Sequence, residues 1–487
     1  MISINNFIKD FKGIAIEFGS IVFPLILFNY CIYSYGSINL YFISRTYKDA
    51  DMINAIGISN LYINLTTIII IVGITGALDT LASNAYGAQN YKLMGIYFDR
   101  CRYIGIVFWG GVALFHYFFA RTILRFCNVK ERVIDLTLEF ISISVFSALI
   151  NLNFLINQKH FTLINKSKYN FYISVFSLII QTITGYLLVV IFKFGVRGSA
   201  LSYFFAACFN SLASTIILKK MDLPEGSLVF FTKDGLKDWW NYMKIAGPGI
   251  LVSGGDWMGY EIQSIFAINI SDLDYSAHVI LINLENLCYP FTVAITSAIS
   301  MKSGEKLMKY KPEKLRTYII MCYLFNFLML IIVISLLLKY GDYYFNIISP
   351  NNEIYLKCSK IKYTLSCFVF ADNLYYFYLG CLKGFGYIIN TTIATFVVFF
   401  GIGPLLIKIL AFRNNMGVKG IWESTSIALT MGSLLFIYWI FSFDLNKIRE
   451  LAEERIRNDN ENIYNIMNEN NNNIREEFIN KIDNNNN

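Results

Sequence analysis

Twelve apolar runs punctuate this chain, each near the ~20 residues an α-helix needs to cross the hydrocarbon core of a bilayer. They fall near residues 18 to 43, 54 to 78, 103 to 126, 136 to 156, 171 to 192 and 198 to 218. A second set falls near 243 to 269, 276 to 300, 317 to 338, 361 to 382, 388 to 411 and 418 to 442. Only 15% of the 487 residues are charged and 55% are hydrophobic, against about 25% charged in a soluble globular chain. The expected fold is an all-α polytopic membrane protein with twelve transmembrane helices. The first run is retained rather than cleaved, because it is longer than a signal-peptide core of roughly 7–15 residues and is followed by Arg45 and Lys48.

The net charge of +7 does not point to nucleic acid, since the basic residues lie between the runs and in a mixed-charge tail. With the N-terminus placed in the cytoplasm, roughly 26 of the 41 Lys and Arg residues fall inside and roughly 15 outside, as the positive-inside rule requires. Both termini are therefore expected to be cytoplasmic. The nine cysteines are scattered, and His116, His160 and His278 accompany no cysteine cluster. No metal or other cofactor is indicated, and no obligate protein partner.

The two sets of runs look like copies of each other. Gly195-Val196-Arg197-Gly198 and Gly417-Val418-Lys419-Gly420 stand 222 residues apart, and Pro24 and Pro248 stand 224 apart. An even number of spans per copy makes them parallel repeats, with a ligand site expected near mid-membrane between them. The expected organisation is a cytoplasmic segment 1–17, six-helix lobes over 18–218 and 243–443 around a central cavity, a cytoplasmic linker 219–242, and a disordered Asn-rich cytoplasmic tail 444–487, whose charged first stretch, Leu445 to Arg457, is compatible with a short helix.

Chemistry concentrates in Ser253-Gly254-Gly255-Asp256-Trp257-Met258-Gly259-Tyr260-Glu261. A charge at membrane depth costs roughly 2.5–3.5 kcal/mol or more, so such residues usually face a wet cavity or a bundle interior and mark an ion or substrate path. On a helix Asp256 and Glu261 diverge by about 140°, which suits two walls of one wide cavity.

Several separated motifs carry a family resemblance. Gly76-Ala77-Leu78-Asp79-Thr80-Leu81-Ala82-Ser83-Asn84-Ala85-Tyr86-Gly87-Ala88-Gln89-Asn90 closely resembles the signature ending the second span of multidrug and toxic compound extrusion (MATE) transporters of the eukaryotic branch. Leu236-Lys237-Asp238-Trp239 with Ala246-Gly247-Pro248 resembles the entry to their seventh span, and Trp257-Met258-Gly259-Tyr260-Glu261 their aromatic acidic motif. Leu379-Gly380-Cys381-Leu382-Lys383-Gly384-Phe385-Gly386 resembles the loop after their tenth span, and counting back from Lys383 puts Asp372 on their tenth-span carboxylate. Asn283 stands where animal members have another acid, and Glu285, two residues on, points about 200° away. The resemblance covers about residues 15 to 443.

It implies secondary efflux, in which the lobes rock around a cavity and exchange a proton, or less readily sodium, for an organic cation. Asp256, Glu261, Asp372 and Asn283 are the coupling and substrate candidates, with Trp257, Tyr260 and Tyr289 as aromatic walls. Asp79, Gly87 and Lys383 are expected to serve conformational change. An intramembrane aspartyl protease fits poorly, because Ser253 replaces a glycine of that motif. A lipid or lipid-linked flippase of the same superfold is the alternative, disfavoured by span interiors that are acidic more than basic. The membrane is a plasma membrane or a vacuole-like one, and lipid is the surrounding partner.

Overall fold

The computed structural model describes residues 4–47, 49–127, 129–349 and 352–461. Twelve long helices follow in order: α1 (Ile4–Tyr47), α2 (Asp51–Gly87), α3 (Tyr91–Phe126), α4 (Glu131–Leu163), α5 (Lys168–Ile191) and α6 (Gly195–Lys220) make one lobe. The second lobe holds α7 (Trp239–Ile268), α8 (Asp272–Lys309), α9 (Pro312–Ile348), α10 (Asn352–Phe385), α11 (Ile388–Arg413) and α12 (Gly417–Ser442). Among the described residues, eleven of the helices are long and apolar enough to cross a membrane. The twelfth, α7, spans thirty residues but is made polar and glycine-rich by the stretch from Ser253 to Glu261.

The repeat is written into the backbone. A π-helical turn closes α5 at Tyr186–Ile191 and another closes α11 at Lys408–Arg413, again 222 residues apart. Each is followed by the same pair of left-handed residues: Lys193 and Gly195 at φ +55° and +59°, Asn415 and Gly417 at +56° and +60°. Gly at the second place adopts that conformation without steric cost. The chain then turns tightly enough for Gly198 and Gly420 to pack against the ends of α5 and α11, where a side chain at Gly420 would stand 2.7 Å from the Ala411 backbone.

The lobes meet along two seams. On α1, Glu17 pairs with Lys302 (3.2 Å) and Lys306 (2.9 Å) of α8, and Phe18 and Phe23 pack edge-on against Phe325. Further along, the Asn29 amide donates to the Pro290 carbonyl (3.3 Å) and the Tyr30 hydroxyl to the Leu287 carbonyl (2.7 Å). On α2 the seam is built of small residues, which let backbones approach closely. A methyl group on Gly73 would meet Ile250 of α7 at 2.4 Å, and one on Gly87 would meet the Glu305 carbonyl of α8 at 2.5 Å. These contacts run toward the end of the bundle where residues 80–90, 302–310 and 383–387 lie. That end is sealed. Beyond Gly254, α7 packs on its own lobe, with Gly255 on Phe396 and Gly259 on Phe399.

Two segments lie across the sealed end. In the linker, the Asp99 carboxylate of α3 accepts bonds from the Phe231 and Thr232 N–H groups and the Thr232 hydroxyl, each 2.7 Å. Arg102 donates to the Val229 carbonyl at 2.9 Å and stacks over Phe230. After α12, residues 445–461 form a further helix, α13, over the charged stretch Leu445 to Arg457 that is compatible with one and a turn beyond it, within a tail expected as a whole to be disordered. Leu445, Ala452 and Ile456 recur on one face and are buried there, which supplies the packing that its charged composition conceals. The Asn-rich residues 462–487 lie outside the described residues.

Candidate functional site

Within the second lobe α10 is the central helix: 89% of its most apolar window is buried, against 22–56% for the other spans. A carboxylate on it is therefore enclosed by its own lobe. Asp372 is 2% exposed, accepts a 2.8 Å hydrogen bond from the Tyr260 hydroxyl of α7, and lies beside the Thr292 hydroxyl of α8. Asp256 is also buried, and its Oδ1 has no hydrogen-bond partner among the described residues. Its surroundings are the Tyr376 hydroxyl, Asp372 and the half-buried Lys383.

A third acid completes the cluster, and it is Glu285. Its carboxylate on α8 is buried and stands within electrostatic reach of Asp372. Tyr289, one turn along α8, lies within electrostatic reach of Asp256, Glu285 and Asp372 together, and its ring meets Tyr33 of the first lobe edge-on, 5.9 Å between centroids. Tyr33 remains 45% exposed between the lobes. The acids of the second lobe are thus walled from the cleft by two tyrosines, one from each side.

Not every expected residue joins this cluster. Asn283 is exposed, and its amide bonds back to the Val279 carbonyl of its own helix at 2.9 Å; Val279, Asn283 and Leu287 form an exposed stripe of α8, as the 3.6-residue period requires. Glu285 was discounted because it points away from Asn283, and that divergence is what carries it inward. Glu261 is exposed as well. It lies on the same exposed side of α7 as Met258 and Ile265, about 140° around the helix from Asp256. Trp257 is half-buried beside Asp256. Tyr375 bonds Thr395 at 2.7 Å and packs on Phe436, filling the lobe interior.

Asp79 and Lys383 meet at the sealed end. Asp79 is paired with Lys159 of its own lobe at 2.7 and 2.9 Å, and Lys383 of the other lobe stands in electrostatic reach of both Asp79 and Asp256. The Thr80 hydroxyl donates to the Lys383 carbonyl. Gly87, at the exit of α2, fits against the α8 backbone as described. Lys383 therefore bridges the acid cluster and the seam.

Two six-helix lobes around a cleft, with a buried acid cluster on one wall, define a polytopic membrane transporter. Residues 24–187 and 248–407 each match the MatE family model, the two blocks starting 224 residues apart at Pro24 and Pro248. Multidrug and toxin extrusion protein 1 of Homo sapiens is 23% identical over 416 residues, 82% of this chain and 70% of that protein. Protein DETOXIFICATION 34 of Arabidopsis thaliana is 21% identical over 406 residues, 80% of this chain and 71% of that protein. The crystal structure of the eukaryotic MATE transporter AtDTX14 has the same fold, with a TM-score of 0.83 over 92% of this chain and 99% of that one at 16% identity. The chain belongs to the MATE family of multidrug and toxin extrusion transporters.

Proposed function

We propose that the protein is a proton-coupled antiporter that expels organic cations, and that Asp256, Glu285 and Asp372 carry the coupling. The observation behind this reading is the acid cluster itself: three buried carboxylates, with Asp372 in electrostatic reach of the other two, and one of them with an oxygen that no donor among the described residues reaches. Such a group binds a cation or a proton, and competition between the two for one charge is what an antiporter needs. Tyr33, Tyr260 and Tyr289 offer π faces at the cleft wall, each worth about 0.5–2 kcal/mol to a desolvated organic cation. Lys383 balances Asp256 and ties its charge state to the seam at Asp79.

The sealed end is assigned to the cytoplasm, on the strength of the positive-inside bias, so that the cleft opens outward and both Ile4 and α13 lie inside. The membrane is a plasma membrane or a vacuole-like one. The test is uptake of a labelled organic cation into proteoliposomes under a pH gradient, a sodium gradient, or neither. Accumulation driven by the pH gradient is expected. Drive by sodium alone replaces the coupling ion, and no movement under any gradient turns the reading to lipid cargo.

A further inference from the structure

We propose that α13 is a latch that holds the sealed end shut and must leave the first lobe each time the lobes separate there. The inference rests on the two-lobe rocking of the transport reading, but its evidence is independent of the acid cluster.

The helix is fastened to both lobes. Toward its start, the Arg449 guanidinium donates to the Leu307 carbonyl (2.8 and 2.6 Å) and to the Tyr310 carbonyl, at the end of α8. Toward its end, the Asp459 carboxylate, 2% exposed, accepts from the Tyr97 hydroxyl at 2.8 Å and from Arg100 at 3.2 Å, both on α3. The Asn90 amide donates to Asn460 at 3.1 Å. Its apolar face divides the same way: Leu445 and Ala452 pack into the core of the second lobe, whereas Ile456 joins the cluster of Leu93, Met94 and Tyr97 in the first. Arg455 lies between, against the left-handed Gly386 that follows α10.

Arg100 makes this more than a surface contact. It is fully buried and holds two acids of the other side at once, Asp459 at 3.2 Å and Asp238, which precedes α7, at 3.4 Å. A buried cation loses far more than an exposed one when its partner leaves. Opening the sealed end moves α8 and α10 away from α3, and α13 cannot follow one without abandoning the other. Only residues 443 and 444 separate α13 from α12 of the second lobe, so its start must travel with that lobe and the end at Asp459 is the one that lets go.

The test uses the full chain with cysteines at Asn90→Cys and Asn460→Cys, together and singly, in proteoliposomes. Oxidation of the double variant is expected to form an intramolecular cross-link and to lower organic-cation transport at least tenfold, with recovery on reduction and no effect in either single variant. A cross-linked protein that transports at the wild-type rate, or a pair that never cross-links, overturns the latch. A second arm needs no substrate: hydrogen exchange in residues 78–90 and 445–461 is expected to be at least tenfold faster in Asp459→Asn than in wild type. Unchanged exchange overturns the latch, whereas a wild-type protein that moves no organic cation refutes the transport reading and leaves the exchange arm in force.

Discussion

The Tyr260 hydroxyl donates to Asp372 across 2.8 Å, joining the helix with the glycine-rich acidic stretch to the most buried helix of the lobe. Asp372 in turn faces Glu285. Glu285→Gln and Asp372→Asn remove charge without removing volume, and each is expected to abolish gradient-driven uptake while membrane insertion is retained. Tyr260→Phe is expected to slow uptake by roughly 10–100-fold, the worth of one hydrogen bond to a charged group at about 1.5–3 kcal/mol. Full activity in either acid variant removes that residue from the mechanism.

Glu261 provides the contrast. Exposed on α7 and apart from the buried acids, it can draw a cation in without holding the coupling proton. Glu261→Gln is therefore expected to raise the KM for an organic cation several-fold, more at low ionic strength than at high, with maximal rate within about twofold of wild type. Collapse of the maximal rate with unchanged KM would return Glu261 to the coupling set.

The seam gives a steric prediction. A methyl group at Gly304 would stand 2.0 Å from the Ser83 hydroxyl and 2.8 Å from the Gly384 carbonyl, and overpacking of this kind costs about 1–3 kcal/mol. Gly304→Ala is expected to loosen the sealed end, so that a bulky thiol reagent reaches a cysteine placed at Thr80, which is fully buried. Protection of that cysteine equal to that in the parent would show that the seam accommodates the methyl group.

The linker prediction follows from the three donors on Asp99. In Asp99→Asn an amide N–H faces backbone N–H groups, and about 1.5–3 kcal/mol of charge-assisted bonding is lost. Trypsin is expected to cut after the exposed Lys233 markedly faster in Asp99→Asn than in wild type. Equal cutting rates would mean that Arg102 and Phe230 suffice to hold the linker.

The repeat was legible in the sequence because Gly195 and Gly417 occupy positions where a left-handed backbone favours glycine, and such positions recur visibly when a unit is copied. Asp256 was legible because a lone carboxylate among glycines in an apolar run has few places to go. Glu285 was not, since Asn283 occupied the place where a carboxylate was looked for, and only the exposed stripe of Val279, Asn283 and Leu287 reveals which face of α8 turns inward. The charged stretch after α12 was legible as a short helix, but its docking was hidden for a different reason. Its three buried apolar side chains are widely spaced, and the acids and arginines between them read as solvated until Arg100 and Tyr97, more than 350 residues earlier, are brought against Asp459.

Asp99, Arg100 and Arg102 lie within a single turn of α3, and between them they anchor the linker that leaves the first repeat, the entry to α7 and the helix that follows the second. Loss of that one turn would release all three attachments together. Two lobes joined in this way have no route to melt independently, and calorimetry of the purified protein is expected to record one cooperative transition where a pair of loosely tethered six-helix units would give two.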